Sequence, residues 1–132
     1  MTGHPKIATS SELDPKPLVG TWLNTDHGAS GGILRIAVTE HDGGLRVRAF
    51  GTGSPDERDW GEVPAVLFGA GADPRVGPAF TAEFDLGFLR TVIAGTHKFG
   101  ILATVVSTAF RDGSGRADYL TREFFHRIGG QS

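Results

Sequence analysis

A chain of 132 residues with 13 basic and 15 acidic side chains carries neither the positive field that binds nucleic acid nor the charge excess of a disordered segment. It has no cysteine, which excludes disulfides and thiolate metal sites, and its length suits one domain burying roughly two-thirds of the surface its unfolded form exposes. Its 20 glycines and 7 prolines, set without a fixed period, would break long helices at ~1 and ~3 kcal/mol apiece and favour short strands joined by turns.

Residues 1–14 are polar and aperiodic, lack the apolar run of a secretory leader, and read as a flexible tail. Nowhere do 18 consecutive apolar residues occur, so a soluble, cytoplasmic protein without membrane contact is expected. One domain is expected over 15–128, with a second loose tail over 129–132.

Pro15-Lys16-Pro17 stiffens the chain ahead of a first strand from about Leu18 to Thr25. After the loop 26–30, Leu34, Ile36 and Val38 alternate with Arg35, Ala37 and Thr39, the period-2 pattern of a half-buried strand. The turn His41-Asp42-Gly43-Gly44 leads into a partner strand with Leu45, Val47 and Ala49 on one face. A fourth strand follows the turn cluster 51–57 and contains Pro64, which has no N–H to donate and predicts a bulge or an edge position there. The glycine-rich stretch 69–78 is the candidate lid.

Phe80, Phe84 and Phe88 fit helical spacing, yet Phe80, Ala82, Phe84 and Leu86 also alternate with polar residues, and Gly87 argues against a helix. The segment is taken as a strand, a turn near Leu86-Gly87, and a strand from Phe88 to Ala94, with Gly95 to Lys98 as the next turn. Phe99 to Phe110, the hairpin loop 111–115 and a last strand from Arg116 to about Ile128 complete the series. The result is about eight strands with no room for a helical crossover, and closing such a meander removes its two exposed edges. An all-β, eight-stranded antiparallel up-and-down β-barrel is therefore expected, with an interior that holds side chains or one small ligand.

At Gly20-Thr21-Trp22 the chain resembles the calycins, the lipocalins and their relatives, whose first strand begins Gly-x-Trp. That resemblance implies a tryptophan at the closed end of the barrel beneath an arginine from the last strands, here Arg122 or Arg127. Gly20-Thr21-Trp22-Leu23-Asn24 is also similar to the first strand of the avidins, whose asparagine contacts biotin; two tryptophans, Trp22 and Trp60, are too few for their pocket, and only Asn24 is carried over as a pocket residue. Trp22-x-Asn24, Gly32-Ile33, Phe50-Gly51, Pro55 and Asp59-Trp60-Gly61 resemble an uncharacterised bacterial family with a Trp-x-Asn start and an Asp-Trp-Gly signature. The cysteine pair of that family is replaced here by Gly53 and Arg58, and the resemblance implies a barrel without an established activity.

Trp22 reads as core, Trp60 as a ligand contact beside a loop, and Asn24 either as a pocket residue or as the cap of its own turn. Arg48, Phe84, Arg90, Tyr119 and Glu123 complete the candidate ligand-binding set, although polar strand residues also belong to the wet face of any barrel. If Tyr119 and Glu123 share the inner face with Phe125, Glu123 needs a partner there, and the pair is the candidate general acid and base. The histidines are dispersed, His126 lacks the context of a haem barrel, and no metal or cofactor is expected.

Nine phenylalanines, Trp22, Trp60 and Tyr119 supply more aromatic surface than a filled barrel of this size needs, which points to binding of one small, mainly hydrophobic molecule. A second expectation is a cofactor-free cyclase or isomerase, similar to the calycin-like barrels of bacterial polyketide pathways, working by substrate orientation. A third is a protein-interaction module, a homodimer included.

Overall fold

The computed structural model describes residues 14–26, 32–42, 44–52, 57–69 and 78–128. A 3-10 turn at Lys16–Leu18 precedes eight strands: β1 (Gly20–Asn24), β2 (Ile33–His41), β3 (Gly44–Gly51), β4 (Arg58–Gly69), β5 (Pro78–Asp85), β6 (Leu89–Lys98), β7 (Ile101–Phe110) and β8 (Tyr119–Ile128). Each pairs antiparallel with the next, and β8 returns to pair with β1 through Thr21↔Ile128 to Asn24↔Phe125, so the sheet is a closed up-and-down barrel. Closure leaves no unpaired edge along the seam. Among the described residues no helix is long and apolar enough to cross a membrane. The expected tails, apart from Asp14, and most of the candidate lid lie outside the described residues.

Alternation decides which side chains enter the barrel. Trp22, Ile36, Val38, Leu45, Val47, Phe80, Ile93, Leu102 and Phe125 are all buried and build the core. At one end Trp22 is fully buried, donates its indole N–H to the Leu18 carbonyl at 2.9 Å, and lies 4.5 Å beneath the Arg127 guanidinium. Arg127, not Arg122, therefore covers the tryptophan, because β8 points its odd-numbered residues inward and Arg122 is exposed. His97 lies 5.8 Å from the same indole; burial first, and then the Arg127 charge, hold its imidazole below the ordinary value.

Several strand limits and bulge positions differ from the sequence expectation. The buried residues of β2 are Ile33, Ile36 and Val38, not Leu34, because the register with β3 shifts between Ile33 and Arg35 and inserts Leu34 as a bulge. In β4 the bulge falls at Gly61, with φ 91°, and Pro64 takes the edge position that was the other expectation there. Pro64 pairs in register with Arg46 on one side, while the β4–β5 ladder starts only at Ala65, so its missing N–H lies at the unpaired edge. The turn expected at Gly95 to Lys98 is strand instead, and the chain reverses at Phe99-Gly100, both with positive φ. The last strand starts at Tyr119 rather than Arg116, since Asp118 accepts the Phe110 N–H at 3.0 Å and Arg116 pairs with Asp112 inside the loop.

Candidate functional site

In an up-and-down barrel the C-terminal ends of odd strands and the N-terminal ends of even strands meet at one rim. Here that rim gathers Asn24 from β1, Ile33 from β2, Trp60 from β4, Leu89 and Thr91 from β6, Thr108 from β7, and Tyr119 from β8. Together with Val106, Thr121 and Glu123 further along the wall, they enclose a cavity of about 600 Å³ opposite the Trp22 end. That volume is in the range of small-molecule sites.

Trp60 enters the cavity because the Asp59-Trp60-Gly61 bulge turns it there. The Asp59 carboxylate accepts the Gly61 N–H at 2.8 Å, and Gly61 holds a φ that L side chains rarely adopt. The indole then lies on Gly51, where an added Cβ would come within 2.6 Å of its Nε1, and packs edge-on against Phe84 at 5.8 Å. Gly51 thus provides the space for Trp60, and Phe84 supports it.

Glu123 faces inward with Tyr119, Thr121 and Phe125, as β8 alternation allows. Its Oε1 accepts the Asn24 amide at 2.8 Å and its Oε2 accepts the Thr121 hydroxyl at 3.1 Å; among the described residues no cation pairs with it. Gly32 lies behind the carboxylate, and a Cβ there would stand 3.1 Å from Oε1. The Asn24 amide also donates to the Ile33 carbonyl at 2.8 Å, and its oxygen accepts the Asp26 N–H at 2.8 Å. Asn24 therefore caps its turn and also orients the Glu123 carboxylate, a contact that nothing in the sequence led one to expect.

Asn24, Trp60, Tyr119 and Glu123 are brought together at the cavity. Phe84 is buried beneath Trp60. Arg48 and Arg90 stand on the outer surface, where Arg48 pairs with Asp59 at 3.3 Å and Arg90 with Glu83 at 2.7 Å. Neither arginine lines the cavity, because β3 turns Val47 and Ala49 inward and β6 turns Leu89 and Thr91 inward. Tyr119 and Glu123 share a face but lie four residues, hence ~13 Å, apart along the strand, and no hydrogen bond joins them.

The sequence reading missed Gly32, Gly51, Thr91, Thr108 and Thr121. Thr91 pairs directly with Thr108 across β6 and β7, and both are buried and line the cavity. A period-2 count on β6 and β7 marks these threonines as inward, which was the available signal; the two glycines gave none, since their role depends on strands far away in sequence. Comparison of the chain with family models, curated proteins and solved structures returns no match.

Proposed function

We propose that the barrel binds one small, mainly apolar molecule at its open end. The observation that carries this reading is the cavity of about 600 Å³ in which Trp60, Ile33, Leu89 and Val106 surround a few convergent polar groups. Sites for small molecules have this composition: an apolar lining supplies affinity and a handful of fixed polar groups supplies orientation. A filled lumen would instead have its inward side chains in mutual contact, as they are around Trp22.

Diphenylhexatriene, which has no polar group and fluoresces in apolar surroundings, tests the reading. Saturable binding of one molecule per chain is expected, abolished by Val106→Trp, which extends an indole into the cavity. Binding that fails to saturate, or that survives in folded V106W protein, overturns it.

A second reading, a homodimer, is favoured by the outer face of β4 to β8. There Phe68, Ala79, Thr96, Ala103 and Phe124 lie in register as one row, with Val66, Val105 and Leu120 in the adjoining rows, and five of these eight are exposed large apolar residues. Two phenylalanine ridges flank a floor of small side chains, a shape that a second copy related by a two-fold axis can complement with its own ridges. Five strands at ~4.8 Å spacing make the face ~19 Å wide, enough for the core of an interface of ~800 Å² per partner.

A further inference from the structure

Glu123 is a carboxylate built into the wall of an otherwise largely apolar cavity. Each carboxylate oxygen accepts about two hydrogen bonds, and here each receives one, from Asn24 and from Thr121. Its backbone is tied down as well, because the Thr104 hydroxyl donates to the Glu123 carbonyl at 2.9 Å. Asn24 has no freedom to adjust, since both its amide protons and its oxygen are engaged. The carboxylate is thus held in one orientation by neutral donors, with acceptor capacity left over and no cation to satisfy it among the described residues.

Two further polar groups belong to the same wall. Thr91 is 1% exposed and Thr108 5%, and both line the cavity. A threonine hydroxyl can both donate and accept, so the wall formed by β6, β7 and β8 favours an occupant with polar atoms along one edge. The opposite side offers the Trp60 indole and Ile33.

Charge narrows the choice. Arg122 also borders the cavity, but it alternates with Glu123 on β8 and is exposed. Its charge is screened by water, whereas that of Glu123 acts inside the cavity. An anionic ligand would place like charges together, and a ligand without a donor would leave the carboxylate unsatisfied.

We infer that the natural ligand is an apolar molecule bearing a hydrogen-bond donor, an amine or a hydroxyl, that docks on Glu123, with its polar edge along Thr91 and Thr108 and its apolar body on Trp60. This rests on the cavity being the binding site, and it adds the chemical class of what binds there.

Three competitors with one naphthalene body separate the classes: 1-naphthylmethylamine, 2-naphthol and 2-naphthoate, each titrated against bound diphenylhexatriene at pH 7. Displacement by the amine and the naphthol is expected at concentrations at least ~10-fold lower than by the naphthoate, since hydrogen bonds to a charged acceptor are the strong ones. Which of the two leads tells whether the donor is cationic or neutral. In Glu123→Gln the three are expected to fall within about twofold of one another. Naphthoate displacing as well as the amine and the naphthol in the wild-type protein overturns the inference without any variant, as does an unchanged ranking in folded E123Q. If diphenylhexatriene itself does not bind, the cavity reading falls; if it binds and the competitors show no preference, only the ligand class is wrong.

Discussion

Asn24 makes every hydrogen bond that a side-chain amide can make with its two protons, and two of its partners, Ile33 and Glu123, belong to other strands. Truncating it leaves the buried Ile33 carbonyl and one carboxylate oxygen without a donor and frees the Asp26 N–H. Asn24→Ala is expected to lower the unfolding free energy by about 2–3 kcal/mol, because groups left unsatisfied in a buried site incur their full desolvation cost. Thr121→Val removes a single bond at a half-buried position and is expected to cost ~1 kcal/mol or less. Urea midpoints at constant m-value check the pair, and equal losses would show that Asn24 is no anchor. The sequence placed Asn24 at a strand end beside a turn, but the residue that its amide would orient lies 99 positions away.

Positive φ is met by a suited residue in one element and by an ill-suited one in another. The Asp59-Trp60-Gly61 bulge is consistent at every level: the aspartate fixes the turn, the glycine accepts the backbone, and the tryptophan is aimed inward. The β6–β7 turn is not, since Phe99 adopts φ 53° while 91% exposed, and its one ring contact among the described residues is Lys98 at 5.7 Å. A left-handed conformation costs a non-glycine residue ~1–2 kcal/mol, against ~0.5 kcal/mol for an exposed cation–π contact. Phe99→Asn creates the Asn-Gly pair this turn type prefers and is expected to raise the melting temperature by a few degrees. A melting temperature unchanged or lowered would mean that Phe99 has contacts beyond its own hairpin. Glycine at 95 and lysine at 98 drew the sequence reading to the wrong turn; Gly95 is in fact flat against Phe80, where an added Cβ would come within 2.7 Å of the ring, so its smallness serves core packing rather than chain reversal.

For the whole molecule, closure leaves two surfaces for the proposed binding and pairing, the open rim and the outer face of β4 to β8. The homodimer reading belongs to this scale. Analytical ultracentrifugation is expected to give twice the 14.0 kDa chain mass, and Phe68→Glu, on the outer face and away from the cavity, is expected to give a single chain that still binds diphenylhexatriene. A wild-type monomer throughout the micromolar range would remove the dimer and leave the cavity reading intact.

Strand number, antiparallel order and most of the inward faces follow from period-2 alternation and turn residues, because these are local steric and hydrophobic preferences that short stretches of chain express by themselves. β8 displays Tyr119, Thr121, Glu123 and Phe125 in sequence as plainly as in space. The single-residue bulges at Leu34 and Gly61, the choice of Arg127 over Arg122, the exclusion of Arg48 and Arg90 from the cavity, and the support of Glu123 by Asn24 and Gly32 required the tertiary structure. Each depends on register, and one extra residue in a strand exchanges its inner and outer faces; which residue is extra is decided by the neighbouring strand and not by the chain that carries it.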